Sequence, residues 1–305
     1  REVMLSSDEK SKPYMLSFTS LIILIKAGVP SEYINREATY ITESTRLQIN
    51  NDIADMIEWY SQEHVMSSGI YDGQPYTIQT EEDEKQMWMK EAGVLKDYAD
   101  KIRTVLNTTD LSGGIFDETD ITELFGIPDY DAIAISVNQN YTLVSTEATL
   151  SSLKNTEDVK LDVITITDWL LHCEMPWREL LPIIKKIVGM GSITALNVSM
   201  INFLLKEYEL CSEEEKNEML ALVHDILEVY VNMHARFKAQ ATQVLTTTYA
   251  MVVNQQEGLE QNELMRLCAR YLMRLHNIRF GVNKLDDGRF ELVAYKLDEG
   301  IKEKR

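Results

Sequence analysis

What is scarce in this chain narrows it first. Only three cysteines occur in 305 residues, Cys173, Cys211 and Cys268, widely spaced and odd in number. There is no Cys-x-x-Cys and no Cys/His cluster. Neither a zinc knuckle nor a disulfide framework is therefore indicated, and each thiol reads as a reduced core residue of a cytoplasmic protein. Glycine-rich phosphate signatures are missing too. No Gly-x-Gly-x-x-Gly, P-loop or Gly-x-Ser-x-Gly is present, which leaves nucleotide binding and serine hydrolysis without support. The five histidines (His64, His172, His224, His234, His276) form no i,i+4 pair of the zinc-protease kind. Long apolar runs are absent: the longest, Leu21 to Val29, spans nine residues and includes Lys26, against ~18 to 20 for a membrane span.

Positive charge is also short. Lys and Arg number 30 against 49 Asp and Glu, a net charge of -19. The deficit is lopsided. Residues 1–174 carry 13 basic and 31 acidic side chains, and residues 175–305 carry 17 and 18. The amino-terminal half would repel a phosphate backbone at long range. Hydrophobic residues make up 45% of the chain and aromatics 8%, so it has the material for a folded core. Its length suits two domains. Arg1 to Lys12 is polar and charged, unlike a signal peptide. It is expected to be a leader or linker cut from a longer polypeptide.

The pattern along the chain predicts two kinds of architecture. From residue 13 to 174, strands alternate with helices: a strand over Tyr14–Thr19, a helix over Ser20–Ala27, a strand at Tyr40–Ile41, and a helix capped by Thr42 that runs to about Glu63. A loop is expected over Ser67–Thr80 and a charged helix over Glu81–Asn107. Short helices follow at Asp117–Phe125 and Asp131–Ser136. A four-residue turn (Val137–Asn140), a strand (Thr142–Ser145), a turn or short helix (Thr146–Leu153), a strand (Val159–Ile166) and a helix from Thr167 complete the half. Such alternation implies a mainly parallel sheet. From 175 to 305 the chain reads as helical and ends in a β-hairpin around Asp286-Asp287-Gly288. There, Ser212-Glu213-Glu214-Glu215 matches a capping box that opens a helix to about Gln243.

Chemistry-bearing residues concentrate in one place. Asp129 and Asp131 open a short helix, and the strand after it leads to Ser145-Thr146-Glu147. Functional groups gather where strands end and helices begin in open α/β sheets, and oxygen ligands suit a divalent metal. Asp129 and Asp131 equally suit an N-cap and a first-turn acid facing the helix dipole, and Glu147 a plain turn residue.

The order of elements, with Asp131-Ala132-Ile133-Ala134 before a strand that ends near Ser145-Thr146-Glu147, resembles a PIN domain over roughly residues 13–172. That family is made up largely of metal-dependent ribonucleases, many of them bacterial toxins, with a three-layer α/β/α fold. The resemblance implies four acidic positions. Here they fall on Ser17, Gln48, Asp131 and Glu147, so two of the four keep a carboxylate. Asp129, Glu43 or Asp52 are the acids near enough to substitute. Magnesium or manganese would be the cofactor, with Asp131 and Glu147, and Asp129 if presented, as ligands.

Two further features concern partners. Arg266, Arg270 and Arg274 repeat every four residues. They suit phosphate contact, a protein partner or a solvated helix face. The helix from Glu213 is apolar over too wide an arc for one buried stripe, which implies burial against several helices or an oligomer surface. The expected function is a PIN-like domain with an eroded acidic site, a regulatory or interaction module within a larger bacterial-type polypeptide or assembly. The alternative is a magnesium- or manganese-dependent ribonuclease using Asp131 and Glu147, with RNA as partner.

Overall fold

The computed structural model describes residues 12–36, 38–62, 66–71, 74–107, 122, 126–146, 161–233, 263–276, 278–284 and 290–296. The chain divides into two compact units, Arg1–Ile164 and Thr165–Arg305.

The first unit is α/β. Strand β1 (Tyr14–Leu16) leads into helix α1 (Phe18–Ala27), short α2 (Ser31–Arg36), β2 (Thr39–Thr42) and long α3 (Glu43–Tyr60). An antiparallel pair, β3 (Met66–Tyr71) and β4 (Gln74–Gln79), precedes α4 (Glu82–Lys101) and β5 (Arg103–Val105). Helix α5 (Ile127–Gln139), β6 (Thr142–Val144) and β7 (Asp162–Ile164) follow. Five strands form one parallel sheet in the order β5-β2-β1-β6-β7. Its register aligns Tyr40, Met15, Leu143 and Val163 in a row across four strands. Tyr130, Ile133 and Ile135 of α5 belong to the same buried cluster. Full burial of one such side chain contributes about 2 kcal/mol, which fixes α5 on the sheet.

Local chemistry sets most of the boundaries. Thr42 accepts the Thr45 amide and caps α3 at 3.0 Å, as its position predicts. Four expectations need correction. The first strand stops at Leu16, because Ser17 turns inward as the N-cap of α1. The segment expected as a loop over Ser67–Thr80 is the β3–β4 ribbon, where Pro75 is tolerated because no further strand among the described residues pairs there. The helix expected to reach Asn107 ends at Lys101, and Arg103–Val105 pairs with β2 instead. The turn expected at Val137–Asn140 is helical through Gln139, and Asn140 ends the helix at φ 60°. The helix expected at Asp117–Phe125 lies outside the described residues apart from Thr122, and so does the segment after Thr146.

The second unit holds α6 (Ile166–His172), α7 (Trp177–Gly189), α8 (Val198–Leu210), α9 (Glu213–Met233) and α10 (Glu263–His276), then the antiparallel strands β8 (Ile278–Lys284) and β9 (Phe290–Lys296). The residues linking these two strands lie outside the described set, as does the stretch beyond Met233 over which the helix from Glu213 is expected to continue to about Gln243. Thr165 and Asp168 form a capping box on α6, and Asn197, the N-cap of α8, donates to both at 3.1 and 3.0 Å. Two helix starts thus share one polar knot. The Ser212–Glu215 box is formed at α9, with bonds of 2.9 and 3.4 Å. Helix α9 packs on both α7 and α10, which explains its wide apolar arc. Arg178 reaches Glu218 and Lys185 reaches Asp225, at 3.0 and 2.7 Å. Both partners advance by seven residues, so α7 and α9 run parallel.

Candidate functional site

The sheet order places a switch point between β1 and β6. From β1 the chain goes to β2 and β5 on one side, and then crosses to β6 and β7 on the other. Ligands in open α/β sheets favour the crevice beyond the carboxyl ends of strands flanking such a point. Polar side chains gather at that edge: Ser17 after β1, Thr42 at the end of β2, Asn107 after β5 and Ser145 after β6.

Each has a local reason to be there. Ser17 is buried. Its Oγ accepts the Ser20 amide at 3.2 Å and donates to the Ser20 hydroxyl at 2.8 Å. The Ser17 amide donates to Val144 O and the Ser145 amide to Ile164 O, which extends the strand ladder past the sheet. Helix α5 starts from Gly126 at φ 84°, a left-handed conformation that favours glycine. Its first turns then project two acids in different directions. Asp129, 4% exposed, accepts the Phe18 amide at 2.6 Å and so neutralises an end of α1. Asp131, half-buried, accepts from Ser44 Oγ at 2.5 Å and from Asn107 Nδ2 at 2.9 Å, one bond to each carboxylate oxygen.

The structure therefore joins Asp129 to the start of α1, just after Ser17, and Asp131 to the starts of α3 and of the loop after β5. Gln48 does not join them. It is exposed and donates to Asp52 at 2.7 Å along the outside of α3. The residue of α3 that meets Asp131 is Ser44, one turn earlier on the same face. Glu147 lies outside the described residues. Sequence reasoning missed Ser44 and Asn107. Ser44 was within reach, two residues past the Thr42 cap; nothing local marks Asn107. Of the basic stripe, Arg266 pairs with Glu263 at 2.7 Å, and the side chains of Arg270 and Arg274 lie outside the described set.

The chemistry this arrangement permits follows from its polarity. Ser44 and Asn107 point O–H and N–H groups at Asp131. A cation would need oxygen lone pairs facing inward instead. Among the described residues no group of three or more His, Cys, Asp or Glu side chains is placed to hold a metal ion. Cys173 and Cys268 are buried and Cys211 is half-buried; all three are free thiols. Burial pushes the Cys268 thiol up to about 12. No helix among the described residues is long and apolar enough to cross a membrane. No family model, curated protein or solved structure matches this chain.

Proposed function

We propose that the first unit, expected from the sequence over residues 13–174 and ending as a compact unit at Ile164, is a PIN-like three-layer α/β/α domain with an eroded acidic site, acting as a regulatory or interaction module of a larger polypeptide or assembly. One observation carries the reading: at the switch-point edge the carboxylates serve the fold. Asp129 holds the Phe18 amide, and Asp131 is held by two neutral donors. Ser17, at the position expected for the first family acid, caps α1. Two-metal phosphodiester cleavage needs enough anionic oxygen to clamp both ions, and beside the already engaged Asp129 and Asp131 the described side chains here supply hydroxyl and amide groups.

The test is calorimetric titration of Mn²⁺ into the whole chain and into Asp131→Asn/Glu147→Gln. The expected result is no saturable heat up to millimolar metal. Saturable binding that the double substitution abolishes would overturn the proposal in favour of a magnesium- or manganese-dependent ribonuclease with Asp131 and Glu147 as ligands.

A further inference from the structure

Helix α3 has 18 residues and α4 has 20, about 27 and 30 Å of helix. The strands they flank have three or four residues, about 10 to 13 Å. The two helices are thus far longer than the strands they flank, and one end of the pair carries the β3–β4 ribbon. It is firmly built. Lys85, buried at the start of α4, donates to the Gln62 carbonyl at the end of α3 at 2.9 Å. Tyr60 and Trp88 stack at 5.8 Å with planes 10° apart.

Its surface is unusual in two independent ways. Five of the eleven exposed large apolar side chains among the described residues fall between positions 57 and 89: Ile57, Trp59, Ile70, Met87 and Met89. Trp59 is 49% exposed, Met87 55% and Ile70 78%. Scattered single apolar residues would be ordinary, whereas these five sit on the end of α3, the start of α4 and the ribbon between them. Tryptophan and methionine are residue types that interfaces favour. The same end is acidic. Over 55–62 and 81–90, Asp55, Glu58 and all four residues 81–84 are exposed acids, while Lys90 is the one exposed cation in these two spans. Acids around apolar side chains repel nucleic acid and anionic lipid surfaces, and complement a basic partner.

We propose that this end of the α3–α4 pair is a docking surface for a lysine- or arginine-rich amphipathic helix of another polypeptide. The proposal deepens the interaction-module reading and rests on it. The partner's apolar face would cover Trp59 and Met87, and its basic flank would meet residues 81–84.

The test uses the whole chain and a fluorescein-labelled 18-residue Leu/Lys peptide with helical spacing, followed by anisotropy, with a Leu/Glu peptide of the same spacing as control. The Leu/Lys peptide should bind saturably and more weakly as salt rises. Affinity should fall at least tenfold in Trp59→Ser/Met87→Ser and in Glu82→Lys/Glu84→Lys. It should stay unchanged in Leu210→Ser, which alters an exposed leucine elsewhere. Undiminished binding by either double variant, equal binding of the Leu/Glu peptide, or no binding at all overturns the proposal. So does a dimer of the chain that Trp59→Ser/Met87→Ser dissolves, which would assign the surface to a second copy. The Mn²⁺ titration stays independent. Asp131-dependent metal binding with peptide binding intact refutes only the eroded-site reading. Failed peptide binding without metal binding refutes only the surface assignment.

Discussion

Asp129→Ala isolates the interaction that shapes the switch-point edge. The carboxylate lies 2.6 Å from the Phe18 amide and is 4% exposed, so deletion leaves that donor without this acceptor in a nearly dry place. An unsatisfied buried donor costs about 1 to 3 kcal/mol. Loss of a negative charge at a helix start adds about 0.3 to 1 kcal/mol. A combined effect of about 2 to 3 kcal/mol corresponds to roughly 30- to 150-fold in an opening equilibrium. Asp129→Asn keeps an acceptor oxygen and loses only the charge, so it should cost about 1 kcal/mol. The assay is amide hydrogen exchange by NMR on the full chain. Global unfolding is a poor readout here, because two units need not melt together. The amide of Phe18 should exchange faster in Asp129→Ala, those of Ser20 and Leu21 should follow, and amides of α9 should not change. Unaltered exchange at Phe18 would refute the argument, and so would acceleration spread equally over both units.

Two further predictions concern helix ends. Glu215 has its carboxyl held below the ordinary glutamate range, first by the Ser212 backbone amide, then by the Ser212 hydroxyl, then by Arg178. Ser212→Ala and Arg178→Ala should each raise it only partway in an NMR titration, because the backbone amide survives both. Since the folded value is the lower one, the stabilisation is complete above the ordinary glutamate range and is lost as pH falls through the depressed value. Lys85→Met keeps the packed stem but removes the ammonium bound to the Gln62 carbonyl. A net loss of about 1 kcal/mol is expected, read as faster exchange at Ser61 and Gln62.

The helix starts were the most legible features. Thr42 reaches Thr45, and Ser212 reaches Glu215, across three residues. Such bonds depend on the local chain alone, so residue type and spacing suffice to find them. The apolar runs of β1, β6 and α5 were legible for a similar reason, since burial is written directly in composition. Ser17 was harder. Its place after a hydrophobic strand looked like more strand, and only the turn into α1 made it a cap.

Other elements owe their form to distant partners. Arg103–Val105 is a three-residue edge strand with no strand-like pattern of its own. Pairing with β2, some sixty residues earlier, decides it. The β3–β4 ribbon carried an Asp72-Gly73 turn signal, but Gly69 and Pro75 concealed the strands around it. Within the site, the sequence by itself determined that Asp129 and Asp131 would stand in the first turns of a helix leading to a buried strand. Only the tertiary structure decided their roles. It brought Phe18 from 111 positions away and Ser44 from 87, and it left Gln48 facing Asp52 instead. The reason is physical: capping and periodicity act over one helical turn, whereas the partner of a carboxylate at a sheet edge is set by strand order, which no local segment encodes.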